Sequence, residues 1–215
     1  MIYKDWYLYK EVYLKWIRSR QFNEYVQQIA SGKKPLFIHI NRTGGTSIAA
    51  GLGITAIHYT LKEYEDFWRQ KFGSDLPTDI PVITSVRHPY ERAVSQYYYR
   101  IKHDQNKLAT NPLRFSDWLA EVHLEKNPKY RDREVMFMPQ TSWLESLNKY
   151  KISIIRFENL ERDYHRLLKD YKPGALPWKK PSARLDVDEV ASTADKELLR
   201  KVYASDFQTF NYQYE

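Results

Sequence analysis

Apolar residues recur at helical spacing from residue 3 to about residue 30. Trp6, Tyr9, Tyr13, Trp16, Ile17, Val26 and Ile29 fall near a 3.6-residue period, with Lys and Glu between them. This predicts one amphipathic helix, ended by Gly32 ahead of Lys33-Lys34-Pro35. The pattern then shifts to short, unbroken apolar runs of strand length: Leu36-Phe37-Ile38-His39-Ile40, Val82-Ile83-Thr84-Ser85-Val86 and Ile152-Ser153-Ile154-Ile155. Each run leads through a polar turn into a helical pattern. The helices are expected from Ile48-Ala49-Ala50, from Pro89 through Tyr99, and from about Leu160 to Lys169. Residues 103–113 and 126–139 are mixed in character and read as loops, and Pro173 to Arg184 reads as a basic, Pro-punctuated connection. A closing helix is expected from about Asp188 to Tyr203. Strands alternating with helices imply an α/β fold with a central, mostly parallel sheet. Repeats and long linkers are lacking, so residues 1–215 read as a single domain.

Composition narrows the chemistry. Tyr 18, Phe 9 and Trp 6 supply much of the apolar mass, enough for a real core. The chain has no Cys, which excludes disulfides, thiolate metal sites and a cysteine nucleophile. No apolar run approaches the ~20 residues that cross a bilayer. Residues Met1 to Tyr7 lack the basic-then-apolar order of a secretory leader, so a cytoplasmic protein is expected. The net charge of +7 suits an anionic partner. Nucleic acid is not the expected one, because the aromatic residues are not interleaved with basic ones as a stacking platform.

The first strand runs into Asn41-Arg42-Thr43-Gly44-Gly45-Thr46-Ser47 and a helix start. Glycines there let backbone N–H groups converge, and the helix adds about half a positive charge at its N-terminus. Thr43, Thr46 and Ser47 offer hydroxyls and Arg42 a cation. Such a turn grips an anion, or alternatively serves as an ordinary capped strand-to-helix turn. The G-x-x-x-x-G-K-[ST] pattern of nucleoside triphosphatases is absent, leaving triphosphate hydrolysis without support. The second strand runs into Arg87-His88-Pro89-Tyr90-Glu91-Arg92, with Ser95 about two turns along the following helix. Two strand ends, each with Arg and hydroxyls, are suited to holding two phosphate-like groups of one ligand.

At these residues a family resemblance emerges. His39-Ile40-Asn41-Arg42-Thr43-Gly44-Gly45-Thr46-Ser47 resembles the 5′-phosphosulfate loop of carbohydrate sulfotransferases, commonly H-I-P-K-T-G-G-T-S. Val86 to Tyr98 resembles their 3′-phosphate motif, R-[NH]-P-Y-x-R-x-x-S-x-Y. Met138-Pro139-Gln140-Thr141, Trp143-Leu144, Arg156 to Leu160, and Tyr203, Asp206, Phe207, Phe210 and Tyr212 are similar to further landmarks. The likeness spans about residues 35–212 and leaves residues 1–32 as an N-terminal helical extension. It implies a P-loop-like three-layer sandwich and, as donor, 3′-phosphoadenosine 5′-phosphosulfate (PAPS), with no metal required.

On that resemblance, Arg42, Thr43, Gly44, Gly45, Thr46 and Ser47 hold the phosphosulfate, and Arg87 and Ser95 hold the 3′-phosphate. Ser182 and Arg184 close over the adenosine, or else form a solvated turn. Arg42 stands where the family has Lys and Asn41 where it has Pro. Arg keeps the charge but is a bulkier fork and a poorer proton donor, so a catalytically weak or inactive PAPS-binding protein is the alternative to a full enzyme. His58 is the candidate general base, with Glu63 as fallback base or as the group orienting it. His39 is expected as a satisfied, buried group and His88 as a loop-orienting one. Arg92 is expected to pair with Glu91, Glu158 or the sheet edge. The acceptor is expected to be a carbohydrate or other hydroxyl compound, met by loops among residues 59–80, 103–113 and 126–139. The sequence leaves the oligomeric state open.

Overall fold

The computed structural model describes residues 20–145, 148–177 and 186–214. Within them the chain is a mixed α/β structure around a small sheet of three parallel strands in the order β1 (Leu36–Ile38), β2 (Val82–Val86), β3 (Ile152–Arg156). Leu36 pairs with Val82 and Val82 with Ile152, and the register holds through Val86 and Arg156. Because all three strands run the same way, the loops at their carboxyl ends share one edge of the sheet. Those loops are 39–44, 87–88 and 157–159, and the site is built on them.

Side chains on a strand alternate between faces, and the core divides accordingly. Leu36, Ile38, Val82 and Val86 pack against helix α1 (described over residues 20–30) through Phe22, Tyr25, Val26 and Ile29. Leu61, Tyr64 and Trp68 of α3 (Leu61–Phe72) join the same cluster. Phe37, Ile83 and Ile155 pack the other way, against Ile48, Ala49 and Leu52 of α2 (Gly45–Leu52) and Leu160, Tyr164 and Leu168 of α6 (Leu160–Leu168). A further cluster joins α4 (Pro89–Lys102), α5 (Phe115–Leu119), α8 (Thr193–Val202) and α9 (Ala204–Thr209). Each fully buried aliphatic side chain in these clusters contributes about 1.5–3 kcal/mol. The Tyr25 hydroxyl donates to the Pro35 carbonyl and accepts from the Phe37 N–H, both at 2.8 Å, so α1 is stitched to β1.

The elements depart from the sequence expectation at several points. β1 stops at Ile38, because Ile40 N–H turns back to the Ile38 carbonyl (3.2 Å) and takes His39 and Ile40 out of the ladder. The segment 61–72 is a helix and not a loop. Thr60 and Glu63 form a reciprocal capping box at its start, and Gly73 ends it in the left-handed region. The expected closing helix is two helices, α7 (Val187–Val190) and α8. Ser192 and Asp195 form a second capping box that restarts the chain after an extended Ala191. The start of the predicted N-terminal helix, with Trp6, Tyr9, Tyr13, Trp16 and Ile17, lies outside the described residues, as do Ser182 and Arg184. No described helix is long and apolar enough to cross a membrane.

Candidate active site

Arg42 and Gly44 both adopt left-handed backbone, at φ 65° and 82°. For Arg42 this costs about 1–2 kcal/mol, and it folds the loop tightly back so that α2 starts at Gly45. The loop is packed hard from two sides. A Cβ on Gly44 would stand 3.1 Å from carbons of Phe157 and Leu160, and one on Gly45 only 2.0 Å from Cδ2 of His39. Glycine is required at 45 by that ring. The N-terminus of α2, where the first N–H groups have no partner within the helix, opens on a cavity of about 1430 Å³ lined by Gly44, Gly45, Thr46 and Ser47.

Arg42 and Ser95 line the same cavity and touch each other. The guanidinium donates from Nε and Nη2 to Ser95 Oγ at 3.0 and 2.8 Å, and lies 4.4 Å from the ring centroid of Tyr99. Burial, with repulsion from Arg87, brings the Arg42 pKa down to about 10. That is close to the ordinary range of a lysine, and the group remains cationic at neutral pH.

Arg87 enters the cavity from the end of β2. Its Nε and Nη2 meet Glu91 Oε2 at 3.0 and 2.9 Å, and its guanidinium lies 4.0 Å from the centroid of Phe157. Phe157 is the ring that also abuts Gly44, so one aromatic plate separates the glycine turn from the Arg87 cation. The Arg87 backbone is held by Gln140. Its N–H donates to Gln140 Oε1, and Gln140 Nε2 donates to its carbonyl, both at 2.9 Å. Asp206 in turn accepts the N–H groups of Gln140 and Thr141 at 2.8 and 2.9 Å. Glu158 accepts from His88 N–H at 2.7 Å and from the Tyr212 hydroxyl at 3.1 Å.

His58 closes the third side. Its Nδ1 lies 2.8 Å from the His39 carbonyl oxygen, and the two imidazoles are 4.2 Å apart between centroids at 30°. A carbonyl only accepts, so Nδ1 carries the proton and Nε2 of a neutral ring keeps its lone pair. Burial lowers the His58 pKa, the His39 hydrogen bond partly restores it, and the Arg133 charge lowers it again. His39 is held well below its ordinary value by burial and by His58. Its Nδ1 has no partner among the described residues, contrary to the expectation of a satisfied histidine.

The cavity thus gathers Arg42, Gly44, Gly45, Thr46, Ser47, His58, Arg87 and Ser95. It does not include Thr43 or Glu63. The Thr43 hydroxyl points inward, donating to the Ile40 carbonyl at 2.8 Å and pairing with Ser85 Oγ at 2.7 Å. The Glu63 carboxylate is exposed and accepts from Thr60 N–H and Oγ1 at 2.7 and 2.9 Å, with no bond to His58. Its capping duty leaves it neither a base in the cavity nor the group that orients His58. Arg92 pairs with neither Glu91 nor Glu158. It donates to the Asn41 carbonyl and Oδ1 at 3.3 and 2.8 Å and to the Met138 carbonyl at 3.1 Å, fixing the glycine loop to α4.

A family model described as "Sulfotransferase family" matches residues 54–213, three quarters of the chain. The chain belongs to the sulfotransferase family. The match takes in the Arg87–Ser95 segment, the Gln140 and Glu158 loops and Asp206, and begins after the glycine loop. Among solved structures, a sulfotransferase from Alicyclobacillus acidocaldarius is similar at 14% identity over 88% of each chain, with a TM-score of 0.37. No curated protein matches.

For a sulfotransferase the roles of Gln140 and Asp206 were not legible as chemistry. Both are fully buried, and they act by fixing where the Arg87 backbone leaves β2. The signal available was their place in Met138 to Thr141 and in the Tyr203–Tyr212 segment, both similar to family landmarks. Of the loops expected on the acceptor side, 103–113 contributes Gln105 and 126–139 contributes Asp132, Arg133 and Met136, while 59–80 contributes nothing to the lining.

Proposed function

We propose that this sulfotransferase moves the sulfuryl group of PAPS to a hydroxyl of a carbohydrate acceptor, on a P-loop-like three-layer sandwich. The observation that carries the reading is the convergence of the glycine turn, Arg87, Ser95 and His58 on one cavity. Its volume exceeds that of common small-ligand pockets, roughly 300–1,000 Å³, which suits a nucleotide and an acceptor together.

The residues suit the donor. The α2 N-terminus, with Thr46 and Ser47, presents N–H and hydroxyl donors to the 5′-phosphosulfate. Arg87 exchanges its bond to Glu91 for a 3′-phosphate that offers more charge, and Phe157 keeps its guanidinium flat. Ser95, held on α4 by Arg42, lines the same cavity. Thr43 acts here through the fold of the loop, not through its hydroxyl. Ser182 and Arg184 are kept as candidates for the adenosine side.

In the transfer, the acceptor oxygen forms a bond to sulfur as the bond from sulfur to the 5′-phosphate oxygen breaks. The acceptor proton passes to Nε2 of His58, which burial keeps neutral and the His39 carbonyl orients. The phosphate leaves as an anion, so it requires a nearby cation more than a proton, and Arg42 supplies it. Arg42 is cationic at neutral pH, as that role requires. Incubation with 35S-labelled PAPS and a panel of neutral and acidic oligosaccharides tests this. Transfer of label to a glycan is expected, and binding of 3′-phosphoadenosine 5′-phosphate (PAP) without transfer to any hydroxyl compound contradicts it.

A further inference from the structure

Five arginines line the cavity: Arg42, Arg87, Arg100, Arg133 and Arg162. Three are matched by carboxylates. Arg87 pairs with Glu91 at 2.9 Å, Arg100 with Asp132 at 2.6 Å, and Arg162 with Asp163 at 3.5 Å. Arg42 is taken up by Ser95 and Tyr99. Arg133 is exposed and, among the described residues, its guanidinium has no ion pair or hydrogen bond, while its carbonyl accepts from Met136 N–H at 3.0 Å. Its neighbours are committed elsewhere, Asp132 to Arg100 and Glu134 to Arg131. The cavity's other carboxylates sit at other duties or places. Glu158 holds His88 N–H, Asp186 caps α7, and Glu161 follows Leu160 at the glycine-loop end.

The position of Arg133 is imposed from behind. Arg100, buried at 2% exposure, donates one nitrogen to Asn106 and another to Asp132. It therefore clamps the residue after Gln105 and the residue before Arg133. The first of these loops is held in an unusual shape, with Asp104, Asn106 and Lys107 all at positive φ. Both Gln105 and Arg133 face the cavity that also contains His58, and the Arg133 charge is felt at the His58 ring.

We infer that Gln105 and Arg133 form an acceptor subsite for a hydroxyl compound carrying an anionic group, which Arg133 binds while His58 takes the hydroxyl proton. The inference rests on the donor reading above and adds the acceptor's charge. An exposed guanidinium whose flanking carboxylates, Asp132 and Glu134, are held by other arginines is a specificity element, since a neutral acceptor leaves it idle.

The test is binding of methyl β-D-glucuronide and methyl β-D-glucoside to protein saturated with PAP, followed by NMR titration. The wild type is expected to bind the glucuronide at least about tenfold tighter than the glucoside. Arg133→Gln is expected to lose that preference, and Gln105→Ala to weaken both sugars. Equal binding of the two sugars, binding of neither, or a preference surviving in Arg133→Gln overturns the subsite while PAP binding leaves the donor assignment standing. Failure of PAP to bind in the same samples overturns the donor assignment and the subsite with it.

Discussion

Arg42 gives two hydrogen bonds to one oxygen, Ser95 Oγ, and so ties the glycine turn after β1 to the second turn of α4. These residues belong to two motifs separated by more than fifty positions, and each was read as serving a different end of the donor. Their contact means that the two turns form one polar unit. Replacing Arg42 by Lys keeps the charge but gives up the fork and the Tyr99 face. The expected outcome is PAP affinity within about tenfold of the parent and a stability loss of about 1 kcal/mol, read by calorimetric titration and urea unfolding. Arg42→Met should lower turnover by about 100-fold or more while the protein stays folded.

Gly45 is closed to any side chain by His39. Gly45→Ala puts a methyl 2.0 Å from Cδ2 and 2.5 Å from Nε2 of a buried ring, which must then shift. Overpacking of this kind costs about 1–3 kcal/mol, and the shifted ring disturbs His58, with which it stacks. Lower melting temperature and lower kcat are both expected. Gly53→Ala, in open surroundings at φ 64°, should carry only the backbone cost of about 1 kcal/mol.

The fold and the helix-capping residues were partly legible in the sequence. All three strands showed as apolar runs because both faces of the sheet are covered, and β2 matched residue for residue. The two capping boxes, Thr60–Glu63 and Ser192–Asp195, were written in the sequence as well. Glu63 was expected as fallback base or as the group orienting His58, and its side chain instead closes the Thr60 capping box. Hydroxyl direction was not legible. Thr43, Thr46 and Ser47 are equivalent as letters, yet only the left-handed turn at Arg42 decides that Thr43 faces Ser85 and not the cavity. Arg87 and Glu91, four residues apart where β2 turns into α4, were an available signal for the ion pair, and Gln140 holding a backbone 53 residues away was not.

With His58 as the proposed general base, the acidic limb of the rate profile is expected to follow its titration. Its folded pKa lies below 6.5, so the base is neutral and competent at pH 7 and is lost as pH falls through the lowered value. kcat/KM should rise with pH from a midpoint below 6.5 to a plateau, and His58→Ala should remove the limb with a loss of about 100-fold or more in kcat. Arg133→Gln removes a repelling charge and should move the midpoint upward.

Stability should fall in the same direction. His39, His58 and His123 all have lowered pKa values, His123 down to about 3, with burial the first cause in each case. Groups depressed on folding take up protons more readily when unfolded, so their stabilising contribution is complete above the unfolded value near 6.5 and declines as pH drops. Each histidine adds at most about 1.4 kcal/mol per pH unit to that decline. Urea unfolding between pH 7.5 and 4.5 should show it, and His123→Phe should flatten the slope.

The central claim is that Arg87 binds the phosphate at the far end of a nucleotide whose near end lies on the glycine turn. The most direct measurement is a calorimetric cycle of PAP against 5′-AMP, on the parent and on Arg87→Ala. Its backbone anchor at Gln140 keeps that variant folded. A paired charge-assisted contact is worth about 2–4 kcal/mol, so PAP should bind roughly 30- to 1,000-fold tighter than 5′-AMP to the parent. The advantage should all but vanish in Arg87→Ala. Equal affinities for the two nucleotides in the parent, or an undiminished preference for PAP in the variant, would contradict the account.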